Sequence, residues 1–104
     1  MSSLSTHVLD TALGRPAQGV PVQLYHDDVV LATGTTNDDG RLALTQRLEP
    51  GIYRLWFDVL SYATATGQDI FFPEVAVTFT IDDERHYHVP LLLSPFAFST
   101  YRGS

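Results

Sequence analysis

A chain of 104 residues, 44% apolar and 17% charged, has the size and composition of one globular domain with a single core, and not those of a disordered segment. A formal charge of −6 sets six Lys and Arg against twelve Asp and Glu, which disfavours nucleic acid, because phosphate binding needs clustered cations. No apolar run approaches the roughly 20 residues of a bilayer span, and the absence of cysteine excludes disulfides, thiolate chemistry and Cys-based zinc.

The opening stretch, Met1 to His7, has neither the basic nor the apolar region of a signal peptide. With the cysteine-free composition, this makes the cytoplasm the expected compartment. From there on the pattern is one of short alternating apolar runs between turn residues, the signature of an antiparallel sandwich or barrel. Leu4 to Leu9 reads as a first strand, ended by Asp10 and the Gly14-Arg15-Pro16 turn. Val20 to Leu24 is a second, its Pro21 pointing to an edge or bulge. Val29 to Thr35 is a third, Arg41 to Gln46 a fourth after the Asn37-Asp38-Asp39-Gly40 turn, and Ile52 to Val59 a fifth after Pro50-Gly51.

Leu60 to Thr66 lacks alternation and reads as a short helix capped by Gly67. Val75 to Ile81 is a clean period-2 strand, His86 to Leu93 follows a charged turn, and Ser94-Pro95 introduces a final strand from Phe96. Eight strands in so short a chain predict two packed sheets in one domain spanning residues 1–104.

Alternation also sorts side chains by face. Leu4, Thr6 and Val8 point inward, leaving Ser5, His7 and Leu9 outward. Tyr87, Val89, Leu91 and Leu93 point inward, leaving His86, His88, Pro90 and Leu92 outward. In the last strand Phe96, Phe98 and Thr100 are expected inward and Ala97, Ser99 and Tyr101 outward. Three strands thus carry His7, His88 and Tyr101 among small or apolar residues on the non-core face, a pattern typical of an interface or ligand groove. A second copy packed over it would enclose a histidine-lined cavity.

Taken singly, most of these residues have plainer uses. His7 would ordinarily be a surface histidine, and His88 a cross-strand polar neighbour. His86 is read as peripheral and His26, beside Asp27 and Asp28, as solvated. Arg41 after Gly40 would ordinarily be a hairpin charge, although a guanidinium there also suits a cavity mouth. Zinc is the sharpest competing use of the imidazoles, but no carboxylate or cysteine shares their face, so acid–base work is favoured and no metal or other cofactor is expected.

Several motifs carry a resemblance along the whole chain: Leu4-Ser5-Thr6-His7-Val8-Leu9-Asp10, Gly14-Arg15-Pro16-Ala17, Asp39-Gly40-Arg41, and Gly67 with Phe71-Phe72-Pro73-Glu74-Val75. His86-Tyr87-His88-Val89-Pro90-Leu91-Leu92-Leu93-Ser94-Pro95 and the ending Ser99-Thr100-Tyr101-Arg102-Gly103-Ser104 complete it. On these the chain resembles the transthyretin-like 5-hydroxyisourate hydrolases of urate (purine) breakdown. The terminal Tyr-Arg-Gly-Ser is the most specific element, since it separates the hydrolases from the transthyretin carriers.

The resemblance implies an all-β, transthyretin-like Greek-key sandwich of two four-stranded sheets with one short helix. It also implies a homotetramer with active sites where two dimers meet. His7, Arg41 and His88 would be catalytic, and Tyr101, Arg102, Gly103 and Ser104 would bind substrate. For Arg102 a tail-anchoring role is the stronger of two readings. The implied reaction opens the six-membered ring of 5-hydroxyisourate by attack of histidine-activated water on a ring amide, giving a carboxy-ureidoimidazoline. A non-catalytic carrier of a small aromatic ligand in the tetramer channel is the alternative.

Overall fold

The structure is a computed structural model that describes residues 2–103, apart from the side chains of Thr45 and Gln46. Its strands are β1 (Ser2–Asp10), β2 (Arg15–Pro16), β3 (Pro21–His26), β4 (Val29–Thr35), β5 (Arg41–Leu48), β6 (Gly51–Phe57), β7 (Val75–Ile81), β8 (Tyr87–Leu93) and β9 (Phe98–Thr100), with a helix α1 (Val59–Thr66) between β6 and β7. One sheet runs β4-β3-β6-β7 and is antiparallel throughout. The other runs β2-β1-β8-β9, with β5 also paired to β1. The two expected four-stranded sheets are present; the two-residue β2, which pairs with the end of β1, adds a fifth strand to one of them.

Turn chemistry sets the strand boundaries. Asp27 and Asp28 both take positive φ, the left-handed geometry of a tight hairpin, and join β3 to β4 directly. Pro21 stands at the first position of β3, where its missing N–H costs least. Asp58 ends β6 and caps α1, its carboxylate accepting from the Ser61 N–H at 3.1 Å, so Val59 joins the helix rather than the expected strand. Gly67, at φ 68°, closes the helix as expected.

The core lies between the sheets. Leu4 and Val8 of β1 and Tyr87, Val89, Leu91 and Leu93 of β8 join Val22, Leu24, Leu55, Phe57, Val75 and Ile81 in one buried cluster. Each such side chain contributes roughly 1.5–3 kcal/mol by leaving water. Thr6 is also fully buried, its hydroxyl donating to the Val89 carbonyl at 2.6 Å.

The last strand departs from expectation. Phe98 stands opposite Leu93 and so has the expected parity, but it is 40% exposed, and Phe96 is 77% exposed. The reason is position: β9 is a three-residue edge strand, and Phe96 lies in the turn before it. The Phe98 ring packs edge-on against Phe72 at 5.1 Å, outside the main core.

The parallel pair β1 and β8 determines the site. Its register sets Ser5 beside His88 and His7 beside Pro90, while the antiparallel β1/β5 register sets His7 beside Arg41. Cross-strand partners share a face, so His7, Arg41 and His88 emerge together on the side away from the core.

Candidate functional site

That outer face holds an open cleft of ≈ 450 Å³ lined by Ser5, His7, Arg41, His86, His88, Tyr101 and Gly103. Each wall has a distinct local cause. Arg41 is delivered by the Asn37–Gly40 turn, in which the Asn37 side-chain carbonyl accepts from the N–H groups of Asp39 and Arg41, both at 2.9 Å. Gly40 is obligatory there. Its φ is +72°, and a Cβ would stand 2.4 Å from the Val8 carbonyl oxygen.

His88 is held from two sides. Its Nδ1 lies 2.7 Å from Ser5 Oγ, and Gly103 bridges to its backbone, the Gly103 N–H donating to the His88 carbonyl at 2.8 Å. A Cβ on Gly103 would meet the imidazole Cδ2 at 2.5 Å, so only glycine lets the tail lie this close to the ring. Partial burial disfavours the imidazolium, and the neighbouring Arg41, His7 and His86 charges add to it. These effects hold His88 below its ordinary pKa of 6.5 although the Ser5 hydrogen bond opposes them. His88 is therefore neutral at physiological pH and able to accept a proton.

The terminal run divides in two. Tyr101 and Gly103 line the cleft. Arg102 does not: its guanidinium stacks 4.5 Å above the ring of the buried Tyr87, a cation–π contact that pins the tail to β8. The tail contact that Arg102 makes is thus with an aromatic face. Ser104, expected to bind substrate, lies outside the described residues.

Two residues earn a larger place than their sequence suggested. Ser5 Oγ touches both His88 Nδ1 and His86 Nε2, each at 2.7 Å, and His86 Nδ1 lies 2.6 Å from Ser3 Oγ. Alternation had set Ser5 and His86 on the outer face; what it could not supply was the β1/β8 pairing that makes them partners. His26, by contrast, is away from the cleft, stacked 4.5 Å from Tyr53 and 3.3 Å from an Asp27 carboxylate oxygen. Among the described residues, no group of three or more His, Asp or Glu converges as a metal-ligand set.

Chemically, the cleft combines a neutral imidazole, a second imidazole on the adjacent strand, and a guanidinium directly across from it. Such a set can move a proton and stabilise a developing oxyanion on a small polar substrate. Fold and site together define a transthyretin-like sandwich bearing a polar, imidazole-lined cleft.

Residues 4–103 match the model of the HIUase/Transthyretin family, and the chain belongs to that family. A 5-hydroxyisourate hydrolase of Mus musculus is 47% identical, the match covering 99% of this chain and 96% of the mouse protein. The solved 5-hydroxyisourate hydrolase of Klebsiella pneumoniae superposes with a TM-score of 0.92 at 39% identity, covering 100% of this chain and 94% of that one. Sea bream transthyretin, solved in complex with thyroxine, superposes with a TM-score of 0.87 at 33% identity, covering 96% and 93%.

Proposed function

We infer that this protein is a 5-hydroxyisourate hydrolase, opening the six-membered ring of its substrate by adding water across a ring amide. The full-length likeness to hydrolases of that name supports the substrate. The observation that carries the reading is the convergence of His7, Arg41 and His88 on one open cleft.

His88 and His7 share the tasks of taking a proton from water and returning one to the departing ring nitrogen, work that typically contributes about 10²–10⁴-fold. Arg41 orients the substrate and stabilises the oxyanion that forms as water adds to the carbonyl. Tyr101 and Gly103 shape the far wall, and Arg102 keeps them there. Ser104, one residue beyond Gly103, is assigned to contacts with polar ring atoms.

Four copies arranged as in the tetramer that the family resemblance implies would turn the open cleft into an enclosed channel, excluding bulk water from the reaction. The outward Leu9, Leu92 and Tyr101 beside the histidines support such packing. Sedimentation of the purified protein tests it. The cytoplasm is the proposed compartment on composition alone, and fractionation of cells expressing the chain tests that.

The likeness to transthyretin keeps a carrier in view, but the cleft walls favour the enzyme. A carrier of an aromatic ligand has no physical use for two imidazoles and a guanidinium at the point of contact. The deciding experiment follows the ultraviolet absorbance of freshly generated 5-hydroxyisourate. The protein should accelerate its decay, and removal of Tyr101 to Ser104 should abolish that acceleration while the fold survives. No acceleration by the intact protein would overturn the reading.

A further inference from the structure

The four side chains Ser3, His86, Ser5 and His88 form an unbroken line of hydrogen bonds along the cleft wall, from the half-buried His88 to the exposed Ser3. The successive distances are 2.6 Å (Ser3 Oγ to His86 Nδ1), 2.7 Å (His86 Nε2 to Ser5 Oγ) and 2.7 Å (Ser5 Oγ to His88 Nδ1). The alternation of hydroxyl and imidazole matters. A serine hydroxyl has one proton to give and can accept another, and a neutral imidazole has one N–H and one bare nitrogen. With both imidazoles neutral, every bond in the line can be satisfied in only two ways. In one, each proton points outward and His88 presents a bare Nε2. In the other, each points inward and His88 presents an Nε2–H. The exposed end is at His86 and Ser3, and the half-buried end is at His88.

We propose that Ser5 and His86 are positioning residues that act through His88, forming a proton-conducting line that lets His88 serve first as base and then as acid. The proposal rests on the hydrolase reading and on His88 doing chemistry in it.

The steps balance. With the line pointing outward, Nε2 of His88 takes a proton from water as the water oxygen bonds to the ring carbonyl carbon. The Nδ1 proton of His88 moves to Ser5 Oγ, the Ser5 hydroxyl proton moves to His86 Nε2, and His86 releases its Nδ1 proton at the surface. The line now points inward. When the carbon–nitrogen bond breaks, Nε2–H of His88 protonates the leaving nitrogen. A surface proton enters at His86 and the line returns to its first state. One proton leaves and one enters through the line, and the product carboxylic acid ionises on release.

The physical gain is that no positive charge need reside on the His88 ring. That charge would face Arg41 from β5, His7 from β1 and His86 from the segment just before β8, with Tyr101 and Arg102 of the tail also nearby. Partial burial opposes it further, which accords with the lowered pKa of this group.

The test compares Ser5→Ala, Ser5→Thr, His86→Gln and His88→Gln on 5-hydroxyisourate in a buffer that penetrates the cleft poorly, then with added imidazole. Ser5→Ala and His86→Gln should each lower kcat about tenfold or more, part of the span that acid–base catalysis commands, with KM little changed. Imidazole should restore Ser5→Ala in proportion to its concentration and leave the intact protein unaffected, and Ser5→Thr, which keeps a hydroxyl, should stay close to the intact protein. The line is overturned if Ser5→Ala or His86→Gln turns over normally, or if the Ser5→Ala loss responds neither to imidazole nor to threonine. Normal turnover by His88→Gln would overturn the reading of the site itself, a distinct outcome because it does not depend on Ser5.

Discussion

Strand β1 carries two polar clusters, one along its outer face and one at its end, and they are built on opposite plans. At the end, the carboxylate of Asp10 is 3% exposed and accepts from Tyr62 OH at 2.6 Å, Gln68 Nε2 at 2.9 Å and the Leu13 N–H at 2.9 Å. Burial pushes its pKa up, but the hydrogen bonds outweigh burial and hold it below its ordinary 3.8. Tyr62 is pushed up to about 12, by burial first and then by the Asp10 carboxylate it serves. This cluster ties α1 and the segment after it to β1, and its protons have nowhere else to go.

The outer-face cluster around His7, Arg41 and His88 is open, cationic and only partly committed. The contrast teaches that hydrogen-bond saturation, and not polarity, separates a structural polar cluster from the one proposed to react. Substitutions in the two clusters should therefore produce opposite phenotypes.

The sharpest separation is expected from His88→Ala and His7→Ala. Each should cut turnover by about 10²–10⁴-fold, while urea unfolding shifts by no more than about 0.5 kcal/mol. A parallel loss of stability would blur the contrast and count against it.

Gly40→Ala should fail on both counts, because the turn it disrupts both closes β1 against the Asn37 loop and delivers Arg41. Strain at that φ should cost about 1–3 kcal/mol in denaturant titrations, together with a lower kcat/KM measured on the folded fraction.

Asp10→Ala should show the reverse of the histidine pattern. It leaves the Tyr62 hydroxyl and the Leu13 N–H without their acceptor, at about 1–3 kcal/mol, while kcat per folded molecule stays near normal. Tyr62→Phe removes one of the three donors and should cost about 1 kcal/mol, readable as a thermal midpoint lower by roughly 4–8 °C.

The two clusters should also separate by pH. As the proposed base His88 would act when neutral, and its folded pKa lies below 6.5, so the rate should hold as pH falls through 6.5 and decline only beneath it. The Asp10 carboxylate is depressed, so its stabilisation is complete above 3.8 and is lost as pH falls through the lower folded value. Asp10→Asn should flatten that acid limb of stability and leave the rate profile unchanged. Stopped-flow rates and unfolding curves across pH check the two halves.

Much of this could be read before any coordinates. Period-2 alternation put Leu4, Val8, Tyr87, Val89, Leu91 and Leu93 in the core and His7 and His88 on the opposite face, because strand parity is a local property of the backbone. The strands Val29–Thr35 and Val75–Ile81 were legible to the residue, since turn residues flank each alternating run. The exposure of Phe96 and Phe98 was not legible. Parity says which side a residue faces, but only the layout of the sheets says whether anything covers it there.

By itself, then, the sequence determined the class of fold, the sorting of side chains by face and, through its motifs, the family. Tertiary structure alone decided that β8 lies parallel to β1, that Ser5 falls beside His88 while His7 falls beside Pro90 and Arg41, and that Arg102 turns away to stack on Tyr87. The physical reason is separation along the chain. Ser5 and His88 are |i−j| = 83 apart, and no local propensity reaches that far. Their contact exists because two buried faces, each formed by local rules, had one way to close on each other.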